Sequence, residues 1–245
     1  MHLKYFYPLL FILYCQTVYA DNIKMGFSQN IPPYIFQQSN NGIEIDIIAE
    51  ALAYKDHTLE PVYYPLGRIP ISFKQNLIDA AMGDMGIDLT SHSGFYANPA
   101  VIYDNKFITL KKSAITINKP DDLYNLSIVS FQGAEKRYPK WLSNPLKEKM
   151  FHGISNQFTQ VRLLYLGRFD VALMDINIFK YNANQLKKKY AYLLPPTVEH
   201  SFTESDPLDY RPVFKSEKIR DDFNFGLKKL KESGRFQAIY NDYLD

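Results

Sequence analysis

"NLIDAAMGD", residues 76–84, and "GRFDVALMD", residues 167–175, follow one plan. Each leaves a helical stretch, places an aspartate at the turn (Asp79, Asp170), runs through four small or apolar residues and ends on a second aspartate (Asp84, Asp175). A short apolar run bounded by turn chemistry reads as a buried strand, so both stretches are strands entered from a helix. In an open parallel sheet, ligands bind beyond the carboxyl ends of the strands. Asp84 and Asp175 stand at such ends, one in each half of the chain. The expected architecture is α/β, with two similar halves facing across a cleft. Chance similarity of two strand entries, with both aspartates solvated, is the competing account at this level.

Working outward, residues 23–27 and 59–63 read as strands. Ile43, Ile47, Ile48, Ala51 and Leu52 keep helical spacing after the turn residues Asn40, Asn41 and Gly42, which predicts a helix over 43–54. A helix over 69–77 and a strand over 80–83 continue an alternation that implies βαβ units and a parallel sheet. A second series begins near Pro120. It has a turn or short helix at 123–126, a strand at 127–130, helices at 134–142 and 157–166, a strand at 171–174 and a helix to about residue 186. A strand at 210–214 and helices at 217–231 and 235–243, separated by Gly234, close the chain. Residues 21–110 with 205–245 are assigned to a first lobe, and 111–204 to a second.

The first twenty residues carry a lysine at position 4, an apolar run from Tyr5 to Tyr14 and small residues at Val18 and Ala20. That is a secretory leader, expected to be cleaved after Ala20. Cys15 follows Tyr14, where a lipid-attachment signal needs a small residue, so no lipid is expected. Past the leader there is no cysteine, which excludes disulfide and thiol chemistry. The balance of 28 Lys and Arg against 26 Asp and Glu argues against a nucleic-acid binder. The five histidines are scattered, without metal-ligand spacing. No P-loop, dinucleotide fingerprint or nucleophile elbow occurs, and neither metal nor cofactor is expected.

The chain resembles the bacterial extracellular solute-binding proteins of family 3, periplasmic receptors that usually serve polar amino acid importers. The resemblance covers nearly all of residues 21–245. Its marks are "IPPYIF" followed by "GIEIDIIAEAL", then "NLIDAAMGD", "KPDDLYNLSIVSFQGAE", "LLYLGRFDVALMD" and "FNFGLKKLKESGRFQAIYNDYL", in that order. It implies a two-lobed periplasmic-binding fold of type II with the ligand cleft between the lobes. The stiff corner after the first strand, with Pro32, Pro33 and Tyr34, would then line the pocket. The candidate ligand-binding set is Tyr34, Arg68, Asp84, Gly86, Phe131, Gly133 and Asp175. Tyr34 and Phe36 are also candidates for core, and Glu44 and Asp46 suit the amino end of the following helix.

The sequence also departs from the family. The arginine that holds a ligand carboxylate in the α-amino acid receptors is expected at about Thr90 or Ser91, and the hydroxyl residue of the second lobe at Ala134. Asp84 stands where a small hydroxyl residue is common, with Asp88 close behind. Asp175 matches the family's ammonium-binding acid. A pocket with acids on both lobes and aromatics around it suits a cationic molecule. Arg68 is either a carboxylate fork or a structural partner of Asp84. The expected partners are a small-molecule ligand and the membrane permease of an ABC importer or a membrane sensor, with the protein a periplasmic monomer. An enzyme of dehydratase type on the same scaffold, with facing acids as acid and base, is the competing function.

Overall fold

The computed structural model describes residues 20–83, 86–190, 193–202 and 211–244. All but Ala20 of the expected leader lies outside them. In chain order the elements are β1 (Asn22–Ser28), α1 (Ile43–Ala53), β2 (Thr58–Tyr64), α2 (Ile69–Lys74), β3 (Ala80–Met82), β4 (Phe95–Tyr96), β5 (Asn105–Leu110), β6 (Ile128–Ser130), α3 (Ala134–Arg137), α4 (Pro139–Lys147), β7 (Phe151–Gly153), α5 (Gln157–Tyr165), β8 (Val171–Asp175), α6 (Ile176–Tyr190), β9 (Thr197–His200), β10 (Pro212–Phe214), α7 (Glu217–Glu232) and α8 (Arg235–Leu244).

The strands form two sheets of the same design, ordered β2-β1-β3-β10-β4 and β7-β6-β8-β5-β9. In each, the first three strands are parallel and the fourth runs antiparallel to its neighbours. The two aspartates at the strand entries explain part of this likeness. Asp79 accepts the Lys24 N–H through Oδ2 at 3.0 Å and returns its own N–H to the Lys24 carbonyl at 2.8 Å. Asp170 does the same to Ser127, at 2.9 and 3.0 Å. Each residue fastens the start of its strand (β3, β8) to the strand alongside (β1, β6), so the repeat in the sequence is a repeat in structure.

Two expectations need correction. The sheets are mixed rather than wholly parallel, because β10 and β5 enter each sheet after the chain has crossed from the other. The lobe boundary also lies earlier than Leu110. Residues 105–110 pair with β8 and β9 in the second sheet, so the outward crossing runs through 97–104. The expected return near residue 205 lies outside the described residues.

Helix boundaries follow local chemistry. Pro139 pushes Tyr138 off the helical region (φ −122°, ψ 55°) and divides the expected helix over 134–142 into α3 and α4. The expected helix over 69–77 stops at Lys74, and the one after β8 runs on to Tyr190. Asn156 caps α5 by accepting the Thr159 N–H at 2.8 Å, and Ser216 caps α7. Gly226 sets the α1–α7 crossing, since a Cβ there would overlap the Ala51 carbonyl.

One apolar cluster runs through both sheets. It joins Phe27, Ile47, Leu52 and Phe223 of the first lobe to Val129, Leu164, Met174 and Phe179 of the second. Separate clusters fill the outer sides, around Phe107, Trp141 and Leu173 in the second lobe and around Ile69, Phe73 and Val213 in the first. No helix among the described residues is long and apolar enough to cross a membrane.

Candidate functional site

Parallel strands bring their carboxyl ends to one edge. In the first sheet that edge carries the corner after β1, Arg68 after β2 and Gly86 after β3. In the second it carries Phe131 and Gly133 after β6 and Asp175 at the end of β8. The two edges meet where the Tyr34 hydroxyl donates to Asp175 Oδ2 at 3.3 Å.

The corner folds tightly. Ile31 and Ile35 bridge, as do Phe36 and Asn41, and the Pro32–Pro33 peptide is cis. Ile43 and Glu44 donate their N–H groups to the Pro33 and Tyr34 carbonyls, which ties the corner to the start of α1. Tyr34 is completely buried and presents no surface to an open cleft. Its ring lies 4.2 Å from that of Tyr103 and edge-on to Tyr240 at 6.4 Å. The hydroxyl also contacts the Ile102 carbonyl at 3.4 Å and receives Asn177 Nδ2 at 3.0 Å. Phe36 packs on Tyr181 of α6 and Tyr243 of α8.

Asp175 is 2% exposed. Oδ1 accepts the N–H groups of Asn177 and Ile178, both at 2.9 Å, and so caps α6. Oδ2 accepts the Asp104 N–H at 2.7 Å and the Tyr34 hydroxyl. A carboxylate has about four acceptor positions, and here all are filled. Burial nevertheless pushes the carboxyl up to about 7 against these four donors. Burial likewise raises the Tyr34 phenol, which stays a donor.

Glu44 lies in the first turn of α1, as the sequence suggests, but faces inward. It is buried, takes the Tyr103 hydroxyl at 2.9 Å, and burial pushes it up to about 7. Tyr103, Asn177 and Tyr240 escape sequence reasoning. The aromatic in "VIYDN" and the asparagine two residues past Asp175 are the only local signals for the first two.

The other candidates do not converge on Tyr34 and Asp175. Arg68 ends a 3-10 turn, Leu66–Arg68, is exposed, and makes no ion pair among the described residues. Asp84, its suggested partner, lies outside the described residues. Gly86 is exposed with φ +73°. Phe131 is half-buried against the Trp141 cluster, and Gly133 adopts φ +93° at the start of α3. Asp88 is committed to a local turn: it accepts the Thr90 N–H and hydroxyl, which holds it below the usual carboxylate range. No group of three or more metal-ligating side chains occurs among the described residues.

The family model described as bacterial extracellular solute-binding proteins, family 3, matches residues 23–245. No curated protein matches the sequence closely. Among solved structures, an amino acid ABC transporter substrate-binding protein from Streptococcus pneumoniae bound to L-arginine superposes with a TM-score of 0.67 at 16% identity, over 91% of this chain and 93% of that one. An ancestral amino acid-binding protein, a precursor of cyclohexadienyl dehydratase, gives 0.66 at 16% identity over 91% and 96%. A histidine kinase sensor domain with similarity to periplasmic binding proteins gives 0.65 at 18% identity, over 91% and 96%. At such identities these likenesses establish the two-lobed fold.

Proposed function

Because the chain belongs to the bacterial extracellular solute-binding proteins, family 3, we propose that it captures a small polar solute between its lobes and passes it on unchanged. The receiver is the permease of an ABC importer or a membrane sensor. The observation that carries this is the meeting of the two carboxyl edges at Tyr34 and Asp175. Capture takes place outside the cytoplasmic membrane, after removal of residues 1–20, by a monomer.

The solute is taken to carry a cationic group. Asp84 and Asp175 hold the same place in the two matched stretches of sequence, while the usual carboxylate anchors are replaced by Thr90 or Ser91 and by Ala134. The L-arginine held by the pneumococcal relative supports the same class. An ammonium reaching Asp175 takes the place of the Tyr34 hydroxyl, the longest of its four bonds. Arg68, Gly86, Phe131 and Gly133 line the remaining rims.

The test is a thermal-shift screen over basic and neutral amino acids, polyamines, sugars and organic acids, since bound solute stabilises the native state by mass action. A cationic solute is expected to raise the midpoint, and Asp84→Asn or Asp175→Asn to weaken its binding roughly thirty-fold or more. Wild-type affinity in both variants would overturn the cationic assignment. Recovery of chemically altered solute would favour the dehydratase-type alternative. N-terminal sequencing of exported protein should begin at Asp21.

A further inference from the structure

One flank of the second lobe has a composition that capture of a solute does not use. Arg162 lies on α5, Arg168 in the turn after it, and Lys187, Lys188 and Lys189 on the last turn of α6. All five are exposed, and none forms an ion pair with a described residue. Between residues 157 and 194 the acids are Asp170 and Asp175. The first accepts the Ser127 N–H and hydroxyl, and the second is buried. Glu199 of β9 also reaches α6, where it pairs with Lys180 at 3.9 Å, so the flank carries a net positive charge from the five remaining cations.

Aromatic and apolar groups are interleaved with these cations. Lys189 Nζ sits 5.5 Å from the Phe158 ring and 5.4 Å from the Tyr190 ring, and the Arg162 guanidinium 5.8 Å from Tyr190. Leu193 is fully exposed and Leu166 is 56% exposed. Thr197, at the start of β9, is bonded through its side chain to the Tyr165 hydroxyl of α5, and Leu193 stands three residues from Tyr190 and four from Thr197. Leu193 thus lies on the same flank as Arg162 and Tyr190. A run of lysines at a helix end is ordinarily a solvated face, and solvation accounts for the charges. It does not account for a leucine with no buried surface beside them.

We propose that this flank docks on an anionic lipid bilayer. Lysine and arginine heads would meet lipid phosphates, while Leu193, Leu166 and the ring of Tyr190 settle at headgroup depth. Lys188 lies near the opposite end of α6 from Asp175, about 20 Å along the axis at the usual rise per residue. Docking therefore leaves the cleft edge clear of the membrane.

The test is cosedimentation of the exported chain with vesicles of phosphatidylcholine alone and of phosphatidylcholine mixed with phosphatidylglycerol, at low and high salt. Binding is expected on the mixed vesicles only, and to fall at high salt. The variant with Lys187→Gln, Lys188→Gln and Lys189→Gln should lose roughly fivefold in partitioning per lysine. Leu193→Ser should lose partitioning while keeping the salt dependence. Lys228→Gln with Lys231→Gln, on the exposed side of α7, should bind as wild type. A wild-type protein that stays in the supernatant with mixed vesicles, as expected if the flank instead serves an acidic protein, overturns the proposal. So does equal loss from the α7 variant. Neither measurement involves the solute, so the outcome is independent of the capture reading.

Discussion

Tyr34 is the residue on which the two lobes meet. Its hydroxyl is shared among Asp175, Asn177 and the Ile102 carbonyl, so removing it acts in two directions. Tyr34→Phe should cost about 1 kcal/mol of stability in urea unfolding, the usual worth of a buried hydrogen bond. The same change frees an acceptor on Asp175 and should tighten binding of a cationic solute several-fold by calorimetry. Loss of both stability and affinity would show that the hydroxyl does not compete with solute. Glu44 gives a pH prediction with a definite sign. Burial raises the folded carboxyl from 4.5 to about 7, so its favourable contribution is complete below the unfolded value and lost as pH rises through the folded one. Glu44→Gln, neutral throughout, should gain on wild type between about pH 5 and about pH 8, by at most on the order of 3 kcal/mol. A stability difference that does not change with pH would contradict the burial argument.

At the scale of elements, the matched grips of Asp79 and Asp170 show why two distant stretches share a sequence. A carboxylate at the strand entry satisfies the neighbouring chain's N–H just before the ladder between the two strands begins, at Lys24 ahead of the β1–β3 pairing and at Ser127 ahead of the β6–β8 pairing. Asp79→Ala and Asp170→Ala should therefore each destabilise by a small amount, about 0.5–1.5 kcal/mol, Asp170→Ala the more because Asp170 also accepts the Ser127 hydroxyl. A large asymmetry in chemical unfolding would mean that the two grips differ in kind. The α1–α7 crossing makes a sharper case. Gly226→Ala drives a methyl group into the Ala51 backbone, which no rotamer relieves, and should cost about 1–3 kcal/mol. Wild-type stability in that variant would show that the helices separate freely.

For the whole molecule, two sheets of one design joined through residues 97–104 make hinged closure the natural response to solute. Ile102, Tyr103 and Asp104 of that crossing are bonded or stacked to Tyr34 of the first lobe and Asp175 of the second. Bending there must rearrange these contacts. Solution scattering with saturating solute should report a smaller radius of gyration than without it. Superimposable curves would mean that capture proceeds without lobe movement.

The alternation of strands and helices, the two-half plan and the position of Asp175 at a strand end were legible from the sequence. All three rest on periodicity and turn chemistry within a few residues. Pro139, dividing α3 from α4, was equally visible once its effect on the preceding residue is considered. Tertiary structure decided the rest. Residues 105–110 join the second sheet because their partners are at 171–175 and 197–200, and no local pattern specifies such pairing. Tyr34 and Asp175 are 141 residues apart and Glu44 and Tyr103 are 59 apart. Whether a polar side chain faces water or a buried partner depends on what the rest of the chain packs against it. That is why Tyr34 and Glu44, read locally as a pocket aromatic and a helix-end acid, are buried where the lobes meet.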